Sequence, residues 1–231
     1  NLARHIHLHS SPSLLAITPR HHSSPSLPNS VPPNLQFEVD DLEHPWTFTH
    51  KFSYIQSQLM IGAFQDWPKF VSQSFEFLEP NGYLEIHDIN FVIKCDDSSL
   101  PPDSALSKWH TLMHEGGSLA GFPLDAISKV PQMMKDAAFE ATVAIPLKWP
   151  INPWPKDKHH KEIGLWALEN FSWGCESMSL ALFTRALGWS VEEVMVLMAQ
   201  VRADLKNRRY HAYWNFWVIY GGKARDKARP S

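Results

Sequence analysis

Cysteine is scarce. Cys95 and Cys175 are the only two in 231 residues, far apart and without C-x-x-C spacing, which excludes a disulfide scaffold or a zinc knuckle and fits a reducing compartment, cytoplasmic or nuclear. A surplus of one charge is lacking too. With 21 Lys and Arg against 24 Asp and Glu, the formal charge is -3, so the chain offers neither a basic field for nucleic acid nor a polybasic patch for a membrane surface. No apolar run approaches the roughly 18 residues that a membrane-spanning helix needs. The N-terminus lacks a charged region followed by an apolar stretch and a cleavage site, so secretion is not indicated. There is no G-x-S-x-G, no P-loop and no H-E-x-x-H. No glycine occurs before Gly62. An initiator methionine is absent as well: the chain starts at Asn1, which predicts a fragment, a processed product or an incomplete gene model.

What is present reads as a globular protein, with 44% apolar and 19% charged residues and enough length to bury a core. Residues 1–33 stand apart. They hold His5, His7, His9, His21 and His22 among serines and prolines, with no acidic residue, a composition that predicts disorder. The His-x-His-x-His run invites a metal reading, set aside because a flexible segment supplies no second shell.

From Asn34 the pattern is that of a folded domain over 34–222, closed by a basic tail at 223–231. Leu35, Phe37 and Val39 alternate with polar residues and end in Asp40-Asp41, the signature of a strand ending in acids. Phe52 to Ile55 is a second strand. Asp66 caps a helix with Pro68 in its first turn, Pro80-Asn81-Gly82 ends it, and Tyr83 to His87 is the next strand. A helical crossover between strands implies a parallel sheet. Further on, Asp103 caps a helix and 139–147 alternates as a strand. Helices follow around Ile163–Ala167 and from Ser177 to Leu187. Ser190 and Glu193 form a capping box, and 211–220 has the apolar character of a strand covered on both faces. The fold class is α/β with a helical insertion over about 100–173.

Two constellations carry chemistry. His110 and His114 lie four apart on a helix and could meet one metal, but no third ligand accompanies them, so no metal is assigned. Asp40-Asp41 lies at the carboxyl end of a strand, where open α/β sheets bind ligands. An acid there can accept a hydrogen bond from an adenine amino group, and Trp46 is close enough in sequence to cover the ring.

The segment Val31-Pro32-Pro33-Asn34-Leu35-Gln36-Phe37-Glu38-Val39-Asp40-Asp41 resembles V-P-P-N-L-x-F-E-x-D-D of the fungal LaeA-like class I S-adenosylmethionine-dependent methyltransferases. The likeness continues through Phe52-Ser53-Tyr54-Ile55, Asp66-Trp67-Pro68-Lys69 and Leu78 to Glu85. It resumes at Leu100 to Ser104, Pro153 to Lys158, Leu182 to Arg185, Gly188-Trp189-Ser190 and His211-Ala212-Tyr213. The resemblance implies a Rossmann-like sheet in which 35–39, 52–55 and 83–87 are the third to fifth strands and 139–147 and 211–220 the closing pair. This chain would lack the first strands. It implies S-adenosylmethionine as cofactor, with Asp40 and Asp41 near the adenine and Gln56 and Ser57, just past the fourth strand, on the methyl side. Trp109, Trp149, Trp154 and Trp166 of the insertion would help cover the substrate. The chain departs from the family pattern in having no glycine-rich loop before residue 31, Ser53 where Asp is common, Gln56 where His is common, and Asn81 where glycine is usual. The expectation is a methyltransferase linked to fungal secondary metabolism, acting on a small molecule or a protein, with no catalytic residue assigned. The alternatives are a non-catalytic scaffold with a regulatory protein partner and, more remotely, a repurposed fold catalysing a cyclisation.

Overall fold

The computed structural model describes the backbone of residues 4–9, 14–19 and 35–225 and the side chains of 41–225. The chain divides into two compact units, residues 1–88, 126–146 and 217–231 in one and 89–125 and 147–216 in the other.

The chain forms a seven-stranded sheet of β1 (Arg4–His9), β2 (Leu14–Pro19), β3 (Leu35–Asp40), β4 (Phe52–Gln58), β5 (Leu78–Cys95), β6 (Glu140–Pro150) and β7 (Ala212–Gly222), in the order β3-β1-β2-β4-β5-β7-β6; β1 to β4 belong wholly to the first unit. β4 runs parallel to β5 and to β2, while β1 is antiparallel to both β2 and β3. The third, fourth, sixth and seventh strands fall within a few residues of where the sequence put them, while the fifth, expected over 83–87, runs from Leu78 to Cys95. The expectation that the first strands are lacking, and that 1–33 has no regular structure, is corrected over 4–9 and 14–19. Arg4-His5-Ile6-His7-Leu8-His9 alternates with period two, and a strand needs no more than that. The remainder of 1–34, and residues 226–231 of the basic tail, lie outside the described residues.

α1 (Trp67–Phe77) crosses between β4 and β5. Asp66 is its N-cap, accepting the Lys69 N–H at 2.9 Å, and Pro68 stands in its first turn. No turn separates it from the next strand: β5 starts at Leu78 and passes through Pro80-Asn81-Gly82, with Asn81 at a φ of 63°. Trp67, Phe70 and Val71 of α1 and Val130 and Met134 of α3 (Val130–Asp136) join Ile55, Leu84, Ile86 and Ile219 in one buried core. The end of α1 is closed from far away by Lys223, whose Nζ donates to the carbonyls of Phe75 (2.7 Å) and Leu78 (2.9 Å).

The second unit contains α2 (Ala105–Leu119), α4 (Lys158–Ala186) and α5 (Val191–Lys206). Ser104, one residue after the expected Asp103, caps α2 by accepting from Ser107 N. The two helices expected within 163–187 are one continuous helix of 29 residues. The capping box forms as read, with Ser190 and Glu193 each accepting from the other's backbone N–H. No helix among the described residues is long and apolar enough to cross a membrane.

Candidate cofactor site

The carboxyl ends of β3 and β4 lie in the first unit. Asp41 follows β3 and is exposed; its Oδ1 accepts the Glu43 N–H at 3.1 Å and its carbonyl accepts His44 N–H at 2.9 Å, which turns the chain. Asp40 is the last residue of β3, and its side chain lies outside the described residues. Trp46 does not cover this end. It is buried, donates its indole N–H to Leu42 O at 3.1 Å, and packs against Phe48, Phe70 and Phe77. A large aromatic six residues past a strand is as easily drawn into the core as onto a ligand.

Gln56 and Ser57 belong to β4 itself rather than following it. Gln56 is half-buried and registers with Glu85. Ser57 is fully buried, and its Oγ has no hydrogen-bond partner among the described residues. Buried hydroxyls are normally paired; the strand beside it, in which Ile17 registers with Ser57, has its side chains outside the described residues.

The segment after β4 is held from two sides by acids that sequence reasoning missed. Leu59, at a φ of 52°, donates its N–H to His87 O at 2.9 Å, and the next N–H, that of Met60, goes to the buried Asp88 carboxylate at 2.7 Å. Glu43 Oε1 accepts the N–H groups of Gln65 (2.6 Å) and Asp66 (2.9 Å). Asp88, an acid within β5 on the same alternating face as Leu84 and Ile86, was the available signal. On the neighbouring sheet face the Tyr54 hydroxyl donates to Glu85 at 2.7 Å. Burial, and then the Glu85 carboxylate, raises that phenol above its ordinary value.

The four tryptophans expected over a substrate lie in the second unit in unlike settings. Trp109 is fully buried and donates to Ser179 Oγ at 2.7 Å, which commits it to packing. Trp166 is 65% exposed. Trp149 is half-buried, edge-on to Phe216, with no partner for its Nε1 among the described residues. Trp154 is half-buried, donates to Ala212 O at 3.0 Å and lies 4.9 Å from the His211 ring. That histidine meets Asp97 through Nδ1 and Ser99 Oγ through its N–H, beside the linked Tyr213, Asp96 and Lys148. The His211 contact, followed by Ser99, holds the Asp97 carboxyl well below its usual range. His110 and His114 serve the backbone: His110 Nε2 accepts Ile93 N–H at 3.2 Å and His114 Nε2 bonds Phe91 O at 2.7 Å.

Residues 4–142 match the family described as a methyltransferase domain. The chain is 34% identical over 200 residues to the methyltransferase pytC of Aspergillus terreus, covering 87% of this chain and 62% of that protein. It is 32% identical over 195 residues to the secondary metabolism regulator LAE1 of Cochliobolus heterostrophus, covering 83% and 64%. The chain thus spans just under two thirds of the length of these relatives. Among solved structures, a phosphoethanolamine N-methyltransferase 2 of Haemonchus contortus aligns with a TM-score of 0.44 at 16% identity, over 82% of this chain and 37% of that one.

Proposed function

The chain belongs to the methyltransferase-domain family, as its motifs implied, and on that premise we propose that the whole protein is an S-adenosylmethionine-dependent methyltransferase of the LaeA-like type, acting in fungal secondary metabolism. The family match over residues 4–142 carries this reading, because it takes in the ends of β3 and β4. The buried Ser57 hydroxyl, without a partner among the described residues, supports it, since a bound ligand is one of the groups that can satisfy such a hydroxyl. Asp41, together with Asp40, is suited to accept a hydrogen bond from an adenine amino group, and Gln56 and Ser57 to line the methyl side. When bound, the cofactor supplies a methyl group made electrophilic by its sulfonium.

The chain's own contribution is position. Asp88 and Glu43 fix the backbone at Met60, Gln65 and Asp66, so the rim of the site is built before anything binds. Half-buried Trp149 and Trp154 remain the aromatics proposed for the methyl acceptor, a small molecule or a protein side chain. No metal and no catalytic base is assigned.

A second reading, a methyltransferase-like scaffold for a regulatory protein partner, takes its support from the relative named a secondary metabolism regulator. Calorimetric titration with S-adenosylhomocysteine separates the two. The enzyme reading expects saturable binding, weakened about tenfold in Ser57→Ala, the scale of one lost hydrogen bond. An absence of binding heat up to millimolar ligand, from a chain with cooperative melting, replaces it with the scaffold.

A further inference from the structure

The outer face of α4 has features that nothing within the second unit uses. Trp166 and Trp173 are 65% and 78% exposed, seven residues apart and so on one side of the helix, and Leu165 and Met178 are exposed near them. Trp173 donates its indole N–H to Glu169 at 2.6 Å, which leaves only an apolar ring to be covered. Glu162 and Arg185, near opposite ends of α4, are exposed and have no partner among the described residues.

Gly174 is the second observation. A glycine inside a helix costs about 1 kcal/mol relative to alanine, and Gly164 of the same helix has an internal reason: a Cβ there would meet Asn152 O at 2.2 Å. Gly174 has none, since a Cβ would approach nothing nearer than Met178 Sδ at 3.8 Å. A half-buried small residue directly after the exposed Trp173, with room beside its Cα, fits the close approach of another backbone.

We propose that α4 of one chain packs antiparallel against α4 of a second copy, about a two-fold axis at Trp173–Gly174. The register is set by charge. An axis midway between residues 173 and 174 places Glu162 of each copy opposite Arg185 of the other, because the two are equally distant from it. The same axis sets Trp166 against Ala181 and Ser177, small residues of the facing helix, and brings Trp173 to Gly174. A two-fold interface uses one patch on both copies and must be self-complementary; large against small and acid against base meet that condition here. A shallow crossing of about 20° keeps helices of this length in contact.

Sedimentation velocity of the purified chain tests the proposal, with the expected result a dimer at tens of micromolar. Trp173→Glu and Gly174→Leu should give monomers with unchanged far-UV circular dichroism. Glu162→Arg and Arg185→Glu should each weaken the dimer about tenfold, because two exposed ion pairs become two repulsions. The double variant carrying both reversals should recover wild-type affinity, which no effect on folding would produce. A monomer up to about 100 μM, the upper range for weak association, overturns the proposal. A dimer indifferent to Trp173→Glu, or a double reversal no tighter than the single ones, does so equally.

Discussion

Asp88 is fully buried and accepts the Met60 N–H, so its replacement by alanine strands a donor in apolar surroundings. That leaves a cost of about 1–3 kcal/mol, and urea denaturation of Asp88→Ala should show at least this loss. Asp88→Asn, which keeps an acceptor oxygen, should recover part of it. Lys223 presents a parallel case. Its three carbonyl contacts at Phe75, Glu76 and Leu78 close the end of α1, and the ammonium also lies over the Phe75 ring at 4.7 Å. Lys223→Met keeps the aliphatic stem and should lower stability by about 1 kcal/mol, the usual net value of such contacts, read as a lower denaturation midpoint at unchanged m-value. Neither role was legible in the sequence, whereas the Asp66 and Ser190 caps were. A cap bonds three residues away, but Asp88 reaches back 28 residues and Lys223 reaches back 148. A residue pattern carries the first kind of bond and is silent on the second. Ser57 is intermediate: its place near the end of a strand could be read, but its missing partner could not.

Several elements themselves followed the periodicity closely. β3, β4, β6, β7 and α5 stand within a few residues of expectation, and α5 keeps Val194, Leu197, Met198, Val201 and Leu205 inside. α4 was harder to read because its buried positions are Gly164, Ala167, Cys175, Ser179 and Phe183, mostly small or polar, so the legible apolar pattern stops at Ala167 and restarts at Ser177. The small residues have a packing cause. Gly164 lies against the backbone of Asn152, and neither backbone can shift to admit a methyl group. Gly164→Ala should therefore destabilise the chain by about 1–3 kcal/mol or more through overpacking, despite the helix propensity it gains, and a thermal melt of that variant should show a fall in Tm. A neutral result there would mean that α4 does not pass Asn152 as described.

For the whole molecule the effective lever is pH. Burial, followed by the neighbouring His114, pushes the His110 imidazole down to about 4, while its ordinary value is 6.5. Folded chains therefore hold His110 neutral through a range in which unfolded chains protonate it. Between pH 6.5 and 4 the unfolded state binds more protons, so stability falls as pH drops through that window and is unaffected by this group above it. The exposed Asp96 and Asp97 act in the same sense at lower pH. Lys148 holds the first and His211 the second below the ordinary carboxylate range, and what they contribute is lost as acid protonates them. The groups around His110 are His114 and the backbone of Phe91 and Ile93, so a single substitution separates its share. His110→Leu removes the acceptor of the Ile93 N–H and should cost about 1–3 kcal/mol at pH 7. It should also flatten the decline between pH 6.5 and 4, because no imidazole is left to charge on unfolding. Urea midpoints of both proteins at pH 7, 6 and 5 give the slopes directly. Parallel slopes would assign the acid sensitivity to another group, whereas a variant weaker at neutrality yet converging on the wild type at pH 5 would place it at the α2–β5 histidine contact.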